Sequence, residues 1–129
     1  MRVEDVPKSG ITYLASPYTG SLILREWRYE SVAGMAAKLF QMGFAVYSPI
    51  VSWHHIALRY DLPQDWLAWR SMDEKFLRVS ERMIVLALEG WDHSKGVTAE
   101  IEICKKQEMT VYLWNFLSDE VKILWEDEG

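Results

Sequence analysis

The sequence predicts an α/β domain, doubly wound, in which a parallel sheet of four to five strands carries helices on both faces. Short β-rich runs alternate with longer stretches of helical spacing, one of those runs is apolar throughout, and each run ends on a breaker or a polar loop. Such alternation implies right-handed crossovers and a parallel sheet covered on both sides. The chain has 129 residues, half of them hydrophobic, so it reads as a single domain over 1–129 with a core of ordinary size. No repeat, low-complexity segment or interior linker divides it. Residues 1–10 and 118–129 read as peripheral.

The elements follow in order. Residues 11–15, ITYLA, form a strand stopped by Ser16-Pro17. From about Arg25 to Met42 the apolar residues Val32, Met35, Ala36, Leu39 and Phe40 keep helical spacing, and Gly43 supplies the stop. Phe44 to Tyr47 reads as a short strand ended by Ser48-Pro49, and 50–62 as irregular or a short helix. Pro63-Gln64-Asp65 opens a helix running to about Ser80. The run Met83–Leu88, MIVLAL, suits a strand buried on both faces. The loop EGWDHSKG leads to a helix from about Val97 to Glu108, then a strand from Thr110 to Trp114. The acidic tail after Ser118 reads as a helical turn or two. In open sheets of this flavodoxin-like kind, ligands bind outside the carboxyl ends of the strands. That directs attention to Ser16–Ser21, Ser48–His55 and Glu89–Gly96.

Helical phase singles out two acids. At about 100° per residue, Val97, Ile101, Ile103 and Cys104 share one arc of the last helix, and Glu100 falls inside it. Glu102, Lys105 and Lys106 take the other side. In the preceding helix Trp66, Trp69, Phe76 and Leu77 form the apolar arc with Asp73 at its centre, and Glu74, Lys75 and Arg78 face water. A carboxylate turned toward a sheet is costly unless hydrogen-bonded, and such groups concentrate at functional sites. Each acid alone also reads as a cap, an ion-pair member or a residue at the rim of the core.

Composition excludes several classes. A formal charge of −5 without a basic stripe argues against binding a nucleic acid polymer. Cys104 is the sole cysteine, which fits a reducing, cytoplasmic setting. No apolar run reaches the length of a membrane span, and MRVEDVPKSG lacks a signal peptide's hydrophobic region. His54, His55 and His93 lack metal-ligand spacing, so neither a metal nor another cofactor is expected. His54 reads either as a neighbour of a binding pocket or as a surface or loop residue. Most of the seven tryptophans read as packing, with room for some to stack on a ligand or a subunit; Trp91 in the WDHS loop is a possible lid.

These residues resemble a known group. Tyr13-Leu14-Ala15-Ser16-Pro17-Tyr18 is similar to the first strand and loop of nucleoside 2-deoxyribosyltransferases. Ser94-Lys95-Gly96-Val97-Thr98-Ala99-Glu100 resembles the Ser/Asp-x-Gly-x-x-x-Glu motif of that superfamily. With Ser at its head it is closer to the nucleoside 5′-monophosphate N-glycosidases, cytidylate hydrolases among them; the transferases usually carry Asp. From Tyr13 through Trp114 the frame also resembles a bacterial and phage branch with YLASPY, SPI and GW-x-x-S-x-GV-x-AEI segments. Two features depart from the pattern. The first loop, SPYTGS, lacks the Arg and glycines that hold phosphate in the deoxynucleotide hydrolases, and Glu81 stands where the family usually has Asp. Arg25 and Arg28 begin a helix, where exposed arginines are common, and are left out of the site.

The resemblance implies that Glu100 attacks the sugar and Asp73 positions it or donates a proton. Tyr13 would orient Glu100, unless it is a plain strand tyrosine. Ser94 and Gly96 would hold the 5′ end of a nucleotide, unless Ser94 only caps its helix, and Ser16 and Tyr18 would line the opposite wall. The expected partner is a small nucleoside or nucleotide, with a homodimer or larger homo-oligomer carried over from the family. Alternatives are a nucleotide-sensing module without turnover, and an interaction domain whose tryptophans form a partner surface.

Overall fold

The computed structural model describes residues 1–128. Nine main elements run in the order β1 (Ile11–Ala15), α1 (Leu22–Gln41), β2 (Ala45–Tyr47), α2 (Pro49–Arg59), α3 (Trp66–Arg78), β3 (Ser80–Leu86), α4 (Lys95–Lys106), β4 (Val111–Asn115) and β5 (Glu120–Trp125). The sheet order is β2-β1-β3-β4-β5. The first four strands are parallel, and β5 closes the edge antiparallel to β4. This is the flavodoxin-like order, with its switch point between β1 and β3.

The period of two along each strand sorts the core into two layers. Leu14, Ile84, Leu86 and Trp114 face Val32 and Leu39 of α1. Tyr13, Ala15, Met83, Val85 and Val111 face Leu77 of α3 and Val97 and Cys104 of α4. Helices therefore cover both faces, and the hydroxyl-bearing Tyr13 lies on the face covered by α3 and α4.

Helix starts follow side-chain caps. Ser21 accepts from the Leu24 amide at 3.2 Å and starts α1 three residues before the apolar pattern becomes visible. Ser48 accepts from the Val51 amide at 3.2 Å with Pro49 at the first helical position, so Ser48-Pro49 begins α2 as well as ending β2. Gly43, at φ +97°, terminates α1 as expected. Pro63 does not open α3, which starts at Trp66 behind Asp65; the Pro63 carbonyl instead accepts from the Trp69 indole at 2.6 Å.

The two ends of the chain differ from expectation. The tail after Ser118 forms strand β5, with no helical turn. Asp119 takes φ +59°, the Asn115 and Ser118 side chains accept from the Leu117 and Glu120 amides, and the chain reverses into a hairpin. Val121 is buried, and Leu124 and Trp125 pack on the α3/α4 layer, a burial that no isolated helical turn would supply. The N-terminus then pairs with the hairpin: the Val121 amide donates to Met1 O at 2.7 Å and the Val3 amide to Asp119 O at 2.9 Å. Val3 and Val6 are buried in the α1 layer, although residues 1–10 read as peripheral in sequence. No helix among the described residues is long and apolar enough to cross a membrane.

Val3→Ala should therefore lower stability by roughly 1–3 kcal/mol, whereas Val79→Ala, at a position 63% exposed, should stay within about 0.5 kcal/mol. Urea unfolding of the two variants checks the assignment.

Candidate functional site

Beyond the carboxyl ends of β1 and β3 the chain opens a cavity of about 570 Å³. Its walls come from the β1–α1 loop, α2, the start of α3, and the loop leading into α4. Two ties hold those loops in place. Thr19 Oγ1 donates to Gln64 O at 3.1 Å and the Gly20 amide to Gln64 Oε1 at 3.0 Å. Arg28 donates to Thr19 O at 3.0 Å and to Glu89 O at 3.2 Å. Gly90, at φ +90°, turns the second loop close to Arg28, where a Cβ would meet the guanidinium at 3.1 Å.

Glu100 and Asp73 both line this cavity, each only 5% exposed. The helical arcs thus placed both acids on the buried side, with Glu102, Lys105, Lys106, Lys75 and Arg78 in water. The Tyr13 hydroxyl donates to Glu100 Oε2. Asp73 Oδ1 is buried and has no hydrogen-bond partner among the described residues. Burial pushes Asp73 up to about 7. Burial, reinforced by the Asp73 charge and opposed by the Tyr13 hydrogen bond, pushes Glu100 up to about 8. The higher value includes repulsion by an ionised Asp73, so the two steps belong to the pair, which holds a single proton only between those steps. Tyr13 itself is driven well above its ordinary range by burial and by both carboxylates, and stays a donor.

Ser94, Gly96, Ser16 and Tyr18 also line the cavity. Ser94 caps α4, its Oγ accepting from the Val97 amide at 3.2 Å. A Cβ on Gly96 would meet only Trp66 at 3.8 Å and Ser94 at 3.9 Å, so packing does not demand glycine and the open space there belongs to the cavity. Ser16 is buried, and its Oγ has no partner among the described residues. Tyr18 is 2.6 Å from His54 Nδ1.

Sequence reasoning missed part of the wall. His54 is neither surface nor loop: it lies on α2, 1% exposed, because that stretch is helical and turns Ile50, His54 and Ala57 inward. Its Nε2 is 2.9 Å from Glu26 Oε1, and Tyr29 stacks on its ring. Arg28, set aside as an exposed helix-start residue, is half-buried at the rim with its Nε unpartnered among the described residues. Trp53, Trp66 and Trp69 give an aromatic wall. Trp91 packs on the α3/α4 core rather than lining the cavity as a lid. No group of three or more His, Cys, Asp or Glu side chains among the described residues is placed to hold a metal ion.

Fold and site together define a doubly wound α/β domain with a buried two-carboxylate crevice at its switch point. Residues 10–116 match the family model described as a domain of unknown function (DUF1937), and the chain belongs to that family. Nothing among curated proteins matches it.

Because burial raises the folded-state pKa of both acids, the stability they contribute is present below the ordinary carboxylate range. It is lost as pH rises through about 7 to 8. Glu100→Gln should therefore be more stable than the parent at pH 9 by roughly 2–4 kcal/mol, with a much smaller difference at pH 5. Thermal melts across that range read the sign directly.

Proposed function

We propose that the domain cleaves the N-glycosidic bond of a nucleoside 5′-monophosphate or nucleoside through a covalent glycosyl-Glu100 intermediate. The observation that carries this reading is one buried carboxylate held by a tyrosine hydroxyl, with a second buried carboxylate facing the same cavity. Breaking the bond leaves positive charge on the sugar and sends an electron pair to the base. A carboxylate below C1′ balances the first and forms the new bond to carbon. Asp73 is the positioning or proton-donating acid. Water then attacks C1′, the Glu100 ester bond breaks, and the carboxylate is restored; a second base in place of water makes the same chemistry a transfer.

Other features fit a nucleotide. The tryptophan wall suits a planar base. The amides at the start of α4, beside Ser94 and Gly96, suit an anion. The resemblance to the nucleoside 2-deoxyribosyltransferase superfamily, resting on the Ser94-to-Glu100 motif, points the same way.

Incubation with a panel of nucleosides and monophosphates, followed by chromatographic separation, should show free base from at least one substrate. Glu100→Ala should abolish that release while the protein stays folded. Binding without any product, or full activity in Glu100→Ala, would count against the mechanism. The attacking Glu100 must be ionised, so kcat/KM should fall as pH drops below about 8. Asp73→Asn removes a charge that raises the Glu100 pKa, so in its pH–rate profile this acid limb should move to lower pH.

A further inference from the structure

The cavity carries a second polar chain that the carboxylate chemistry leaves unused. The His54 side chain is wholly out of solvent, yet both its ring nitrogens are engaged, Nδ1 with the Tyr18 hydroxyl at 2.6 Å and Nε2 with Glu26 at 2.9 Å. Tyr29 holds the ring flat at a centroid distance of 4.5 Å and an interplanar angle of 17°. Tyr18 and His54 line the cavity beside Trp53, while the Glu26 side chain is 42% exposed. A hydrogen-bonded path therefore runs from solvent, through a buried imidazole, to a phenol in the cavity wall. A buried imidazole fixed at both nitrogens by a carboxylate and a hydroxyl is the arrangement that moves protons in acid–base sites. Position also matters. His54 and Trp53 belong to α2, which packs on α1, whereas Glu100 and Gly96 belong to α4, which packs on α3. The chain thus borders the Trp53 end of the aromatic wall, where Trp53 meets Trp69 edge-on.

We propose that Glu26, His54 and Tyr18 form a proton relay in which Tyr18 is the catalytic acid that protonates the departing base. This rests on the N-glycosidase reading and assigns the proton that reading leaves open. With a proton on each ring nitrogen, His54 donates Nε2–H to the Glu26 carboxylate and Nδ1–H to the Tyr18 oxygen, freeing the Tyr18 O–H for the cavity. As the C1′–N bond breaks, its electron pair moves to the base nitrogen, which takes the Tyr18 proton. The Tyr18 oxygen takes the Nδ1 proton, and His54 is left neutral with Nε2–H still on Glu26. Water entering where the base stood attacks C1′, and the bond to Glu100 breaks. The water proton returns through Tyr18 to His54, so no net proton is gained or lost along the chain. Arg25, 6.0 Å from the Tyr18 ring, opposes the effect of burial on the phenol and eases release of its proton. Tyr18 is the group that meets substrate; His54 and Glu26 act through it as positioning residues.

The test compares two leaving groups on the same sugar. One is the base of the nucleoside or nucleotide cleaved in the panel. The other is 4-nitrophenolate from the matching 4-nitrophenyl glycoside, which departs without a proton. Tyr18→Phe and Glu26→Gln should lose on the order of 10²-fold and tenfold in kcat on the base, and less than about threefold on nitrophenolate. His54→Gln should behave like Tyr18→Phe; should it fail to fold, the other two variants carry the test. Equal losses on both leaving groups, or no loss, would overturn the relay. So would selective loss in Asp73→Asn with none in Tyr18→Phe, and so would a wild type that releases the base but refuses nitrophenolate. In each of these cases the N-glycosidase reading would stand. A wild type that releases no base from any panel member would remove both, and Glu100→Gln should be inactive on both leaving groups if the nucleophile is right.

Discussion

The hydrogen bond from Tyr13 to Glu100 ties the site to the sheet. A carboxylate 5% exposed on a helix face is costly unless something replaces its water, and here one phenol does so. That bond requires residue 13 of β1 to face the α3/α4 layer, which the strand's period of two grants to Tyr13 and Ala15 and denies to Leu14. It also requires α4 to begin close behind β3, so that its second turn brings Glu100 over β1. Register, helix start and acid are therefore one constraint. Moving β1 by a single residue would put Leu14 against the carboxylate and leave a buried charge without a donor.

The same crevice gathers polar capacity that the fold itself does not use. Of the buried side-chain polar atoms without partners among the described residues, Ser16 Oγ, Asp73 Oδ1 and Arg28 Nε belong to residues lining this cavity, and Arg25 Nε and Tyr47 OH do not. Folding alone would select against such atoms, since each costs about 1–3 kcal/mol when left unpaired. Their concentration around one cavity, while the two core layers are filled with aliphatic and aromatic side chains, is the mark of a site held at the expense of stability.

Much of this was legible in the chain. Strand–helix alternation fixed the layer architecture, and helical phase alone separated Glu100 from Glu102 and Asp73 from Glu74. Phase reasoning fails where no element has been assigned. Ser48-Pro49 reads in sequence as a strand stop, although the same pair is a helix cap followed by proline at the first helical position. Residues 50–62 therefore had no face, and His54 could not be seen to point inward. Glu26 and Arg28 fall within the expected helix, but its start at about Arg25 puts them in the first turn; Ser21 starts α1 at Leu22, which sets Arg28 in the second turn at the cavity rim. At the C-terminus, acidic composition obscured VKILW, whose burial depends on a hairpin with β4 and on N-terminal residues more than a hundred positions away in sequence.

Two tyrosines now divide the cavity between them. Tyr13 spends its proton on Glu100, which favours the ionised carboxylate and suits it to attack. Tyr18 faces an imidazole backed by a carboxylate, an arrangement that replenishes a proton once it is given away. The difference comes from where each sits. Tyr13 is inside the sheet, wholly buried, and its hydroxyl is committed to Glu100. Tyr18 stands in the loop beyond β1 and connects through His54 to a half-exposed acid on α1. Six residues of one strand and its loop, Tyr13 to Tyr18, thus present the same functional group in two electrostatic settings. A reaction that needs a positioned carboxylate on one side of a bond and a renewable proton on the other fits that division.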